Sequence, residues 1–347
     1  VIDGRVPEVA RLPRAFSAAP DYPQRVRTPF VTSTVIRRLA LANVVTNIGI
    51  VVSGGAVRLT GSGLGCSTWP KCTSDDLVPT SAMPIHTYIE FGNRLLTFVV
   101  AIVAIATFVA IRLAKPVRRD LSLLALLVGL GIPAQAVLGG ITVLTGLNPY
   151  TVMAHFLVSV VLVGLATVLW RRTQLDERAP YLPARPWMRT FVVVLTATAF
   201  VTLALGTFVT GSGPHGGDPK AGRTGFDPAL VSQLHADIVF LLVGLTVALV
   251  ILVNVINVGQ TARRAAYILL GVELAQGVIG YVQYFTGLPL ALVELHMLGA
   301  ALLTAAVANV VVQIAAPRGV PSDFGSTSRR DRDPFDPTRS QTSLPNP

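Results

Sequence analysis

The chain has 347 residues, 52% of them hydrophobic and 13% charged, with a mean hydropathy of +0.61. Ordinary soluble domains are about 25% charged, so a soluble enzyme and a disordered chain are both excluded. The net charge of +10 invites a nucleic-acid reading. The cations lie between and beyond long apolar runs, however, which is how a membrane protein distributes them.

Residues 1–30 hold Arg, Pro and acidic residues and no apolar h-region. The first apolar run is therefore expected to be a retained span rather than a cleaved signal. Eight runs are long enough to cross a bilayer, which takes roughly 20 apolar residues. They fall near 36–57, 86–112, 121–143, 150–170, 189–210, 229–257, 264–285 and 290–315. Their length excludes barrel strands, so the expected class is an all-α integral membrane protein with eight transmembrane helices.

Orientation follows from Lys and Arg. The N-terminal tail carries seven up to Arg38, and the 112–119 connection carries four. The 171–189 connection adds five, Arg263 and Arg264 two more, and the C-terminal tail five. The opposite side receives Arg58, Lys71, Arg94, Lys220 and Arg223. A cell (plasma) membrane location with both termini cytoplasmic is the expectation. Residues 317–347, rich in Ser, Pro, Asp and Arg, read as a disordered cytoplasmic tail, and residues 1–33 as an N-terminal one.

The chain repeats itself once. Gln135, Val137, Gly139, Thr145, Gly146, Leu147 and His155 return as Gln276, Val278, Gly280, Thr286, Gly287, Leu288 and His296, all at one offset of 141. Thr60-Gly-Ser-Gly63 returns as Thr210-Gly-Ser-Gly213 at offset 150. Each copy holds four spans and enters from the same side, a parallel repeat about an axis along the membrane normal. The expected architecture is two four-helix bundles, residues 34–172 and 173–316.

The five histidines are His86, His155, His215, His235 and His296. His155, His235 and His296 each lie a few residues inside an even-numbered span, on its outer side. The matching position on the second span is near Asn93. A lone intramembrane His is commonly hydrogen-bonded to a hydroxyl or a carbonyl. A repeated pair at matched depth fits better the two facing imidazoles that hold a haem b iron between bundle helices. His86 sits two turns before Asn93 on the same face, with Glu90 between them. Glu90 is either half of an i,i+4 pair with Arg94 or a carboxylate beside a cofactor, and its cost at a span end favours the second. His215 falls in a Gly-rich loop. Glu273, mid-span in the seventh helix, has no role legible in the sequence, a hydrogen bond to a neighbouring helix being the plain account, and Glu294 is expected to mark an interface. Arg58, Arg94 and Arg223 are candidate partners for haem propionates, since Arg pairs bidentately with carboxylates.

Cys66 and Cys72 flank Ser-Thr-Trp-Pro-Lys in the first outer loop. The outside is oxidising, and this spacing allows their Cα atoms to approach within about 6 Å. Such a bridge is either a structural staple or a redox-active pair.

At this point a resemblance enters. The stretch from Gly54 through Arg58 and Cys66 to Cys72 resembles the first outer loop of haem A synthases. So do Ile89-Glu90-Phe-Gly-Asn93-Arg94-Leu-Leu, the run Gln135 to Pro149 with His155, and the run Gln276 to His296-Met-Leu-Gly-Ala. The resemblance covers about residues 36–315. It implies an enzyme that oxidises the C8 methyl of haem O to a formyl group, giving haem A for terminal oxidases. It implies haem b between His235 and His296, with His155 on the iron of the substrate haem and Glu90 near the reacting edge. It also implies a pathway neighbour in haem O synthase, oxidase assembly factors as partners, and a lipid bilayer as surroundings. An oligomer suits such a bundle, and nucleic acid is not a partner. The family pattern on helix two is Glu-x-x-His, and here Asn93 stands in place of the His. Either His86 substitutes as ligand, or His155 alone holds that iron. The rival function is a bis-His haem b electron carrier of the quinol oxidoreductase type.

Overall fold

The computed structural model describes residues 32–80, 83–175, 185–256 and 258–315. Among these are eight α-helices: α1 Ser33–Leu59, α2 Ile85–Leu113, α3 Arg119–Leu144, α4 Pro149–Arg172, α5 Pro186–Ser212, α6 Pro228–Val255, α7 Gln260–Phe285 and α8 Leu290–Val310. A π-turn, Val311–Ala315, continues α8. No strand occurs among the described residues. All eight helices are long and apolar enough to cross a membrane. The tail expected at 317–347 lies outside the described residues, as does nearly all of 1–33.

Local chemistry sets the helix starts. The Thr32 hydroxyl accepts the Val35 N–H at the start of α1. The Asn148 and Asp227 side chains accept from Tyr150 and Ala229, each with proline as the first helical residue. A proline there gives up only an N–H that has no helical partner anyway. The four-residue joints 145–148 and 286–289 share one backbone path. Gly146 and Leu147 have φ of 63° and 58°, and Gly287 and Leu288 have 78° and 60°. Leu147 and Leu288 are the only non-glycine residues with positive φ among those described. A β-carbon makes that conformation unfavourable, so the turn is imposed by its surroundings. Both leucine N–H groups bond back to a carbonyl five residues earlier, that of Thr142 or Gln283.

Helix α1 packs on α2, α4 and α8, and α3 packs on α2 and α4. Helix α6 packs on α5 and α7, and α7 on α8. The central seam is α4 against α8, with α1 against α8 and α4 against α5 on either side. It is built from small side chains. Val51, Val163 and Ala301 form one buried cluster, and a Cβ on Gly164 would lie 3.6 Å from the Thr304 methyl. Small residues let helix backbones approach closely, which is how helices bind each other without water. Outward faces stay apolar: Phe98, Ile102, Ile105 and Val109 of α2 are all exposed. Such a continuous exposed face suits lipid and not water.

Buried polar residues fasten helices inside the apolar layer. The Asn43 amide of α1 donates to the Thr107 hydroxyl of α2. Thr246 of α6 donates to the Glu273 carboxylate of α7 at 2.8 Å, a bond to a neighbouring helix. Glu273 is 3% exposed and its second oxygen has no partner.

Candidate functional site

The connections 60–80, 145–148, 213–227 and 286–289 all meet at one end of the molecule. Gly63 N–H donates to the Gly217 carbonyl, and the Arg58 Nε and Nη2 groups donate to the carbonyls of His215 and Thr210. His215 Nε2 donates to the Leu288 carbonyl at 3.0 Å. Arg58 thus ties α1 to α5 and the connection after it, and His215 ties that connection to the joint between α7 and α8.

Beneath that end, four even-numbered helices carry a polar side chain six to eight residues from their starts. These are Asn93, His155, His235 and His296. At 1.5 Å per residue they sit roughly 9–12 Å inside. Each faces a glycine of the preceding helix. A Cβ would stand 4.0 Å from Asn93 Nδ2 at Gly54, 3.1 Å from His155 Cε1 at Gly139, 3.2 Å from His235 Cε1 at Gly206, and 3.4 Å from His296 Cε1 at Gly280. The missing side chains leave room for three half-buried imidazoles on flat helix surface. Of these glycines, Gly139 and Gly280 belong to the sequence repeat and Gly54 to the first-loop motif. Nothing in the sequence marks Gly206.

The imidazole surroundings differ. His235 Nδ1 donates to the Thr202 carbonyl of α5 at 3.0 Å. That fixes the tautomer and leaves Nε2 with its lone pair, as a metal-binding imidazole requires. The Nδ1 atoms of His155 and His296 are buried without a partner among the described residues. Around His155, the Gln135 amide of α3 donates to the His155 carbonyl at 2.8 Å and to the Ser159 hydroxyl. This grips the helical turn that carries the imidazole. Imidazoles set against glycine-lined gaps, one of them with its tautomer fixed by a backbone carbonyl, are what a haem-ligating histidine needs, so the residues present fit a haem.

Asn93 is joined to α1 by the Ser53 hydroxyl, which donates to its Oδ1 at 2.6 Å. His86 does not share its depth. It is exposed on the first turn of α2, where its Nδ1 meets the Ser62 hydroxyl at 2.8 Å.

A disulfide joins Cys66 and Cys72, and both residues are 0% exposed. Glu90, 5% exposed, holds this loop. Its Oε2 accepts the Cys66 N–H at 2.7 Å, and its Oε1 accepts Arg94 Nη2 and Nε. The same guanidinium donates to the Thr68 and Lys71 carbonyls. Thr87 donates to the Gly65 carbonyl, and a Cβ at Gly65 would lie 2.4 Å from the His86 carbonyl oxygen. The loop then lays Trp69 on α3, where a Cβ at Gly140 would stand 2.4 Å from the indole. Gly140 is next to Gly139, so Trp69 covers α3 beside the His155 gap. Glu90 and Arg94 are thus bonded to the loop, and Arg58 to α5 and the connection after it. Arg223 is bonded likewise, to the carbonyls of Pro214 and Ala221.

Glu294 leaves this ring of groups. It faces α1, where a Cβ on Gly55 would lie 2.6 Å from its Oε2, and neither of its oxygens has a partner. The repeat places Met153 at the same position of α4, close to Gly211 of α5.

A family model described as cytochrome oxidase assembly protein (COX15-CtaA) matches residues 37–215, from α1 through α5. The chain belongs to that family. Among relatives, the protein named heme A synthase from Geobacillus kaustophilus is 34% identical over 134 residues, 38% of this chain and 40% of the relative. The one from Lysinibacillus sphaericus is 34% identical over 135 residues, 39% of this chain and 43% of the relative. The one from Listeria monocytogenes is 34% identical over 114 residues, 32% and 37%. The chain thus spans about two fifths of the length of the curated relatives it matches. The family match ends before α6 and so does not reach His235 or His296.

Proposed function

We propose that this membrane protein is a haem A synthase, which converts the C8 methyl of haem O to a formyl group. The observation that carries the reading is the set of three half-buried imidazoles at one depth, each in a glycine gap on the helix before it. It is supported by the relatives named heme A synthase.

In this reading His235 and His296 hold a haem b in the C-terminal half, and His155 holds the substrate haem in the N-terminal half. The haem b, when bound, supplies one-electron transfer. The chain's own groups do the positioning. The Thr202 carbonyl keeps His235 in the ligating tautomer, and Gln135 fixes the His155 turn through its backbone carbonyl. Glu90 and Arg94 act through the loop they hold, which keeps Trp69 over α3. The two halves act as four-helix bundles, 34–172 and 173–316. The Lys and Arg asymmetry supports both termini being cytoplasmic in a cell membrane, with the disulfide loop outside.

The test is mass spectrometry of haem extracted from membranes that make haem O, with and without this chain. A new haem heavier by one oxygen and lighter by two hydrogens supports the synthase. Haem O alone, with the chain present and loaded with haem, overturns it.

A further inference from the structure

We infer that Asn93, oriented by Ser53, is a hydrogen-bond donor to a small ligand at the coordination position across from His155. This rests on the reading that His155 holds a haem iron. Asn93 occupies on α2 the place that His235 occupies on α6, six to eight residues into the helix and against a glycine of the helix before it. In the C-terminal half that place and its partner are two imidazoles, His235 and His296. In the N-terminal half they are a carboxamide and an imidazole. A neutral carboxamide oxygen is a weak match for haem iron beside an imidazole.

The hydrogen bonds at Asn93 assign it a different task. The Ser53 hydroxyl is 2.6 Å from Asn93 Oδ1 and 3.1 Å from the Ile50 carbonyl. The shorter contact takes the hydroxyl proton, so Oδ1 is occupied. That turns Nδ2, which carries two protons and has no partner among the described residues, to the Gly54 gap, where even an added Cβ would stop 4.0 Å short. A donor half-buried in a membrane helix is costly to leave unused. His86 does not fill the gap, because Ser62 holds it on the first turn of α2. Glu90 does not fill it either, because both its oxygens serve Cys66 and Arg94. Among the described residues, the place on α2 that matches His235 on α6 therefore offers an N–H donor where the other half offers an imidazole. The ligand it suits is a small one with a lone pair, of the size of a diatomic molecule or water.

Carbon monoxide is the probe, added to the reduced holoprotein in detergent. Infrared spectroscopy reads the C–O stretch, which an N–H donor lowers. One haem per chain is expected to bind carbon monoxide, and His155→Ala to remove that haem. Asn93→Leu and Ser53→Ala are expected to keep the binding and move the C–O stretch to higher frequency. Asn93→His is expected to abolish the binding and add a second bis-imidazole low-spin signal in electron paramagnetic resonance. The low-spin signal of the His235–His296 haem reports folding in every variant. No carbon monoxide binding by a chain that loses a haem in His155→Ala overturns the inference and leaves the proposed synthase standing. A stretch that stays put or falls in Asn93→Leu overturns the donor role. A His155→Ala chain that retains all its haem overturns the N-terminal site itself, and this inference with it.

Discussion

The Glu90 carboxylate separates two accounts of this site, one in which it acts at the reacting edge and one in which it fastens a loop. Glu90→Ala removes three hydrogen bonds at once: one from the Cys66 N–H and two from Arg94. Hydrogen bonds to charged groups contribute about 1.5–3 kcal/mol each, and breaking a buried ion pair costs about 3–5 kcal/mol. Arg94 keeps its bonds to the Thr68 and Lys71 carbonyls, so the low end applies. Loosening the loop by about 3 kcal/mol raises its open population about a hundredfold. The disulfide reports this directly, because Cys66 and Cys72 are both 0% exposed and a reductant must wait for the loop to open. The assay is the rate of reduction by a soluble phosphine under native conditions, read by alkylation and mass. Reduction about a hundredfold faster than in the unaltered chain is expected. An unchanged rate with haem A formation abolished would refute the clamp and return Glu90 to the chemistry.

The glycine gaps predict a graded series. Gly139→Ala, Gly206→Ala and Gly280→Ala place a Cβ 3.1, 3.2 and 3.4 Å from the facing imidazole. Overpacking of this kind costs about 1–3 kcal/mol. Haem retained per chain, measured as the pyridine haemochrome, should fall most at Gly139 and least at Gly280. The buried Thr246–Glu273 bond predicts a contrast in thermal unfolding in detergent. Thr246→Val leaves both Glu273 oxygens unpartnered and should destabilise by about 1–3 kcal/mol. The double change Thr246→Val with Glu273→Leu removes both polar groups and should recover most of that loss.

Much of this site is legible in the sequence because its signals are local or periodic. Spans show as apolar length, and the repeat brings out His155 and His296 at a fixed offset. The Cys pair reads from its spacing. The partners of these groups do not show. Thr202 contributes only its backbone carbonyl to His235, and a carbonyl leaves no trace in residue identity. Gly206 is one glycine among many until its neighbour on α6 is known. Arg94 as a propionate partner and Arg94 as a loop clamp have the same sequence, and its bonds to Thr68 and Lys71 are with residues more than twenty positions away. Trp69 reads as a loop tryptophan, and only its contact with Gly140 shows what it covers.

By itself, then, the sequence determines eight membrane-length helices and their order. It also determines the depth at which each polar group enters, because length, hydropathy and helical rise are properties of one segment at a time. It leaves open which group meets which. That Glu90 faces Cys66 and Arg94, that Glu294 faces Gly55 across the joint between halves, and that His86 stays at the mouth while Asn93 reaches Gly54 are all facts of helix rotation and approach. Rotation is set by which small residues let two backbones touch. In helices whose lipid-facing and inward-facing sides are both largely apolar, periodicity alone does not fix it.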